Sequence, residues 1–281
     1  MGAVQSGRKV RLGGSIFVAP FERAWHFREL IRAILSRELA SRFRGSAFGW
    51  AWAIASPLVM MMAYTVVFSG IITISKAASH QTFGSRALVI FSGITFFNFF
   101  AELLYRGPSL LHEHASFIKK SIFPTETLAW IAVLRALVYA AISIAVLLIF
   151  DLALTRHVPP TALLIPFLVV PLVMFMLGTT WFLMAFGAFS RDIVHLMATI
   201  VPLFMWLTPV FYTFADVPPA IRPWMHANIL GDYIDMFRDL VLRGNLPDFE
   251  LYGACAAVSY AVFILGYVFF TRYKSIIVDV I

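Results

Sequence analysis

Residues 128–150 read LAWIAVLRALVYAAISIAVLLIF, twenty-three positions interrupted by a single charge, Arg135. A helix needs roughly 20 apolar residues to cross the hydrocarbon core of a bilayer, and backbone polar groups there must be satisfied within the segment. This stretch therefore reads as a spanning helix. Working outward, five more stretches of comparable character appear at 46–75, 87–105, 162–189, 194–214 and 251–271. Six transmembrane helices follow, and the first and fourth exceed the required length, so tilt or extension beyond the bilayer is expected.

Composition agrees. The 281 residues are 60% hydrophobic and 13% charged, with 28 Phe and 7 Trp, and the mean hydropathy is +0.84. Water-soluble domains carry about 25% charged residues, and a soluble fold of this length has no interior large enough for so much apolar surface. The single cysteine, Cys255, leaves no internal disulfide to form and reads as a small buried residue. No cleavable leader is visible, since the first apolar run begins near Ser46 and a basic segment precedes it.

Lys and Arg set the orientation. With the N-terminus in the cytoplasm, that side receives Arg8, Lys9, Arg11, Arg23, Arg28, Arg32, Arg37, Arg42 and Arg44, then Arg106, Lys119, Lys120, Arg191, Arg272 and Lys274. The opposite side receives only Lys76, Arg86, Arg156, Arg222, Arg238 and Arg243. Both termini are therefore expected inside. The net charge of +7 fits an anionic cytoplasmic leaflet and needs no nucleic acid.

Three segments flank the spans. Phe27, Leu30, Ile31, Ile34 and Leu35 recur at helical spacing with Arg28, Arg32 and Arg37 off the stripe, so 21–45 predicts an amphipathic helix in the interface or packed on protein. Residues 1–20 are expected to form a disordered tail, and 46–281 the transmembrane domain. The polar loop 106–127 should hold a short cytoplasmic helix. In 215–250, segments 220–229 and 233–242, separated by Gly231, predict two short helices lying on or re-entering the outer leaflet. Their charges Asp232, Asp235, Arg238 and Asp239 should avoid lipid.

The absences bear on function. No G-x-x-x-x-G-K-S/T occurs, so no phosphate-cradling loop is present. Acids are almost missing from the spans, with Glu102 and Asp151 at their ends, whereas ion-coupled transporters need midplane sites. Any transport must draw on an ATPase elsewhere. His112–Glu113–His114 points in divergent directions on a helix and reads as a solvated turn rather than a metal site. No G-x-S-x-G marks a hydrolase.

RFRGSAFGW at 42–50 followed by Pro57, FIKKSIFP at 117–124 with Glu126, and LTPVFY at 207–212 running through Pro218 to Asn228 and a helix with Asp235 and Arg238 together resemble the permeases of polysaccharide-export ABC transporters. That family includes O-antigen, teichoic-acid and capsule exporters. The resemblance covers the chain from about Phe21 and leaves its branch open; residues 1–20 have no counterpart in it. It implies a type-2 exporter domain working as a homodimer with two separate ATP-binding-cassette ATPases in the bacterial inner membrane. ATP and Mg would then sit on the partner subunits, no cofactor on this chain, and the cargo would be a lipid-linked polysaccharide.

Such a cargo slides over aromatic rings. Trp50, Trp52, Tyr64 and Phe68 on the first span and Trp206, Phe211 and Tyr212 on the fifth are the candidates, with an interfacial aromatic belt as the competing account. Arg42 and Arg44 are candidates for the lipid pyrophosphate, against ordinary positive-inside anchoring. His112, Glu113, Phe117, Lys119 and Lys120 are expected to couple the loop to the ATPase. An exporter of drugs or lipids with the same architecture, a membrane enzyme acting on lipid-linked sugars, and a structural membrane subunit are the rival readings.

Overall fold

The computed structural model describes residues 17–67, 85–120 and 123–280, and among these the chain is helical with no strand. Among the described residues four helical stretches are long and apolar enough to cross a membrane, Arg86–Glu113, Thr127–Thr155, Pro160–Phe189 and Phe249–Ile277. They contain α4 (Ser85–Arg106), α7 (Thr127–Thr155), α8 (Ile165–Phe189) and α12 (Phe249–Val280). The chain is a multi-pass membrane protein.

The expected first and fifth spans are shorter apolar helices of 16 residues, α3 (Ala51–Val66) and α9 (Asp192–Leu207). The sixteen residues of α9 at about 1.5 Å rise reach roughly 24 Å, less than the hydrocarbon core, while α3 runs to the edge of the described residues at 67. Ahead of α3, Gly45 and Gly49 take positive φ, so residues 46–50 are turn rather than helix. The far end of that stretch, with Phe68, lies outside the described residues. α9 stops at Leu207 because Thr208 precedes Pro209 and is extended, φ −91° and ψ 139°, as steric clash with a proline ring demands.

α4 is the hub. Its most apolar stretch is 83% buried inside the protein, against 17% for that of α7. Phe91, Phe96, Phe97, Phe99 and Phe100 pack inward from it. α8 and α12 cross at Gly178 and Gly266, where a Cβ on Gly178 would stand 2.3 Å from the Val262 carbonyl oxygen and one on Gly266 would stand 2.2 Å from that of Gly178. Small residues at such crossings let backbones touch where lipid offers no hydrophobic drive.

The amphipathic segment is two helices, α1 (Ala19–His26) and α2 (Arg28–Arg42), bent at Phe27. The ladder continues through the bend, Phe27 N–H donating to Arg23 and Ile31 N–H to Phe27. The expected stripe faces the bundle: Ile31 is buried, Phe27, Leu30, Ile34 and Leu35 are half-buried, and Arg28, Arg32 and Arg37 are exposed. α1 begins at Ala19, inside the stretch expected to be tail; residues 1–16 lie outside the described residues.

Loop 106–127 carries two short helices, α5 (Leu110–Glu113) and α6 (Ala115–Lys120). Beyond α9, a single turn α10 (Arg222–Met225) precedes α11 (Ile229–Arg238), which runs into a widened turn at Asp239–Arg243. Gly231 is therefore not the separator. It lies within α11, where a Cβ would stand 2.8 Å from the Pro209 ring, and the break falls at His226–Asn228. Cys255 is buried and free.

Candidate functional site

A cavity of about 430 Å³ opens between α3, α4, α7 and α9. Trp52, Tyr64, Phe91, Phe99, Tyr139 and Phe211 supply aromatic walls, and Ser56, Thr95, Asn98 and Ser143 supply hydroxyl and amide groups. A second cleft of about 550 Å³ lies at its α2 end, lined by Glu38, Ser41, Arg42, Asn98, Glu102 and Arg135 among others. Arg42, Asn98 and Glu102 border both, so the two adjoin. The space is thus charged at its mouth and aromatic within.

Of the expected aromatics, Trp52, Tyr64 and Phe211 face the cavity and Trp50, Trp206 and Tyr212 do not line it. Trp50 packs on Phe43 with ring centres 5.8 Å apart. Trp206 is 66% exposed, 5.4 Å from the Phe211 ring, and so backs a wall residue from outside. The Tyr212 hydroxyl donates to the Trp206 carbonyl at 3.1 Å. Arg42 stands at the mouth, its guanidinium 4.1 Å over Tyr139 and 3.9 Å from Glu102. Arg44 is exposed and borders neither space.

From the mouth an ion-pair network runs to the loop. Arg135, the lone charge of the opening stretch, donates to Glu102 at 2.5 Å and lies 3.5 Å from Glu38. Glu38 also accepts from Arg106 at 2.9 Å and lies 3.4 Å from His114 Nε2. Arg106 reaches Glu113 at 3.2 Å. Burial alone would raise Glu38, but hydrogen bonds from His114 and Arg106, with the charges of Arg106 and Arg135, hold its carboxyl down at about 2. The same hydrogen bond to Glu38 outweighs burial at His114 and raises its imidazole above the usual value. Charge lodged in an apolar bundle persists only when paired, and here it is paired continuously across α2, α4, α5 and α7.

The loop itself is seated on α8. A Cβ on Gly187 would stand 2.1 Å from the Pro108 carbonyl oxygen, so only glycine admits the loop backbone there. His112 Nε2 lies 3.3 Å from the Gly187 carbonyl oxygen. Glu113 accepts from Ser109 at 2.6 Å as well as from Arg106. His112 and Glu113 therefore brace the loop from within, while Phe117, Lys119 and Lys120 follow on α6. Glu126 fastens the next corner, pairing with Arg23 of α1 and with Lys274 of α12 at 2.6 Å. Burial would raise its carboxyl, but Lys274 and Arg23 bring it below the usual value.

On the opposite side of the bundle Arg238 is 1% exposed. It donates to the carbonyls of Val89, Val210 and Tyr212 at 2.8, 3.0 and 3.1 Å and to Ser92 Oγ at 3.1 Å. Burial lowers its guanidinium to about 10. Asp232, 2% exposed, lies 2.6 Å from His226 Nδ1, and burial raises its carboxyl despite that contact. Asp235 and Asp239 pair with Arg243 at 3.1 and 2.7 Å. Arg238 and Asp232 of this region are thus buried and hydrogen-bonded, and Asp235 and Asp239 are ion-paired.

Residues 29–242, about three quarters of the sequence and spanning every element of the cavity and the network, match the model of ABC-2 type transporter membrane proteins. The chain belongs to the ABC-2 type transporter family. It is a permease subunit, and in such systems ATP is hydrolysed on a separate ATP-binding-cassette subunit. The permease is similar to the O-antigen export system permease protein RfbA of Myxococcus xanthus, 25% identical over 237 residues that cover 84% of this chain and 88% of that protein. Two Klebsiella pneumoniae proteins of the same name are each 24% identical, over 249 residues (88% and 92% of the two chains) and 221 residues (78% and 82%).

Sequence reasoning singled out Arg42, Arg135 and Glu126 but not the pairing of Glu38 with His114 and Arg106. The available signal was an arginine inside a span, Arg135, which requires a partner.

Proposed function

We propose that this permease exports a lipid-linked polysaccharide, O-antigen-like or capsular, across the bacterial inner membrane, as a homodimer driven by two ATPase subunits that bind ATP and Mg. The reading takes α3 and α9 as the first and fifth of six spans, with both termini cytoplasmic and α10 and α11 re-entering from the outer side. The observation that carries it is the cavity, with an arginine at its mouth and aromatic walls interspersed with hydroxyls. A sugar chain presents apolar ring faces and a rim of hydroxyls, and its carrier phosphate is anionic; this lining matches both. The relatives named for O-antigen export point the same way.

Arg42 receives the phosphate, and Trp52, Tyr64 and Phe211 offer the sliding surface. α5 and α6 take the push of the ATPase, with Lys119 and Lys120 at the contact. Because the loop is wedged on α8 at Gly187 and tied to Arg42 through Glu113, Arg106, Glu38, Arg135 and Glu102, its displacement reaches the cavity mouth through packed, paired elements.

The test is ATP hydrolysis by the reconstituted permease–ATPase complex, with and without lipid-linked glycan. Stimulation that Tyr64→Ala with Phe211→Ala abolishes, while the complex stays intact, is the expected result. Stimulation by amphiphilic drugs or free lipids but not by the glycan would overturn the reading in favour of a drug or lipid exporter.

A further inference from the structure

A second groove of about 630 Å³ lies between α1, α2 and α7. Phe21, Ile31, Leu35, Trp130 and Leu134 form its walls, and Trp25, 72% exposed, forms part of its rim. Arg28 and Arg32, one helical turn apart on α2, also border it, and Glu22 is its one carboxylate. Arg28 donates to the Trp25 carbonyl at 3.1 Å and its guanidinium stands 5.1 Å from the Trp25 ring. Among the described residues no carboxylate lies within ion-pair distance of Arg28 or Arg32.

The groove is held open by structure. Ion pairs Arg23–Glu126 and Arg106–Glu38 pin α1 and α2 to the bundle on either side. The bend at Phe27 leaves an apolar seam against α7 between those two pins. It shares no lining residue with the cavity at Arg42. An apolar slot capped by an indole and two arginines that have no carboxylate partner among the described residues, on helices at the membrane surface, has the chemistry of a phospholipid seat. A cation presented beside Trp also sits where interfacial aromatics lie, level with headgroups.

We propose that this groove holds an acyl chain of an anionic glycerophospholipid of the cytoplasmic leaflet, with the phosphate on Arg28 and Arg32. The bound lipid completes the contact of α1 and α2 with α7. This rests on the cytoplasmic placement of the N-terminal helices given above, but not on the identity of the exported cargo. Because the groove is separate from the cavity, its occupant is a lipid of the bilayer rather than the carrier of the glycan.

The test is native mass spectrometry of the permease–ATPase complex exposed to equal amounts of phosphatidylglycerol and phosphatidylcholine with identical chains. Phosphatidylglycerol should be retained in preference, and Arg28→Gln with Arg32→Gln should reduce that preference by about thirtyfold, two arginines acting near the membrane surface. A phosphatidylglycerol carrying a photoreactive group on its acyl chain should label peptides containing Trp130 or Leu134. Equal retention of both lipids, an unchanged preference in the double variant, labelling confined to other helices, or displacement of the label by a polyprenyl phosphate would each overturn the proposal. Glycan-stimulated ATP hydrolysis is a separate readout, so failure here leaves the exporter reading standing, and the reverse.

Discussion

Gly93 of α4 stands directly beneath the guanidinium of Arg238 of α11, and a Cβ at that position would lie 2.8 Å from Arg238 Nη2 and 2.7 Å from the Val210 carbonyl oxygen. The missing side chain is what lets a cation enter the bundle and satisfy three backbone carbonyls at once. The Val89 carbonyl has a second donor in Ser92 Oγ at 2.6 Å, but those of Val210 and Tyr212, after α9, would lose the guanidinium as donor, at about 1–3 kcal/mol each.

Gly93→Ala should therefore lower the melting temperature of the purified permease, with overpacking costing about 1–3 kcal/mol. Arg238→Met should do the same by taking the guanidinium from the carbonyls of Val210 and Tyr212. Since both changes break one clasp, the double variant should be destabilised by less than the sum of the two. Strict additivity in a thermal-shift assay would show that the two residues act independently.

The Glu38–His114 pair predicts a pH dependence. Glu38, held at about 2, stays ionised throughout the physiological range, so His114 is the member that titrates. Its folded value is raised above the ordinary one, chiefly by the hydrogen bond to Glu38 and against the opposing charge of Arg106. The stabilisation is thus complete below about pH 6.5 and is lost as pH rises through the raised value. Melting temperature should fall with rising pH over that window, and His114→Gln should flatten the fall. A slope of equal size in the variant would remove His114 from the account.

How far these features were visible in the sequence depends on the length scale of the interaction behind each. The four long spans follow from composition over twenty residues, and the stripe from Phe27 to Leu35 follows from periodicity, so both are local properties of the chain. The early end of α9 is local too: Thr208 before Pro209 forces extension within the apolar run 194–214. Gly231 reads as a break because glycine commonly is one, yet it admits the Pro209 ring, twenty-two positions away in sequence. The same holds for Gly93 and Arg238, and for Glu38 with His114. Each is a contact between distant segments that no window of sequence contains.

Lys119 and Lys120 test the coupling role of the loop. α5 is braced by His112 against Gly187 and by Glu113 against Arg106, and α6 follows directly on it. Lys119→Glu with Lys120→Glu should leave the permease folded but weaken its association with the ATPase, or separate ATP hydrolysis from export. Normal co-purification together with normal export would reduce the loop to a connection. Glu113→Gln should have a milder effect, because Ser109 and Arg106 retain other partners.

Arg42 and Arg44 test the proposed phosphate recognition against membrane anchoring. Both were expected at the cytoplasmic boundary, but only Arg42 borders the cavity, where Glu102 at 3.9 Å is a long and easily exchanged partner and the Tyr139 ring lies 4.1 Å below. The Tyr139 hydroxyl is buried without a hydrogen-bond partner among the described residues. An entering phosphate can draw Arg42 from Glu102, which then remains with Arg135 at 2.5 Å. The two substitutions should therefore differ. Arg42→Gln should reduce glycan-stimulated ATP hydrolysis by about tenfold or more, the scale of one charge-assisted hydrogen bond worth about 1.5–3 kcal/mol, with basal hydrolysis unchanged. Arg44→Gln should change stimulation little, as expected of a cation that only faces the leaflet. If both variants lose stimulation equally, position along the boundary matters and the cavity does not; if neither does, the phosphate is held elsewhere.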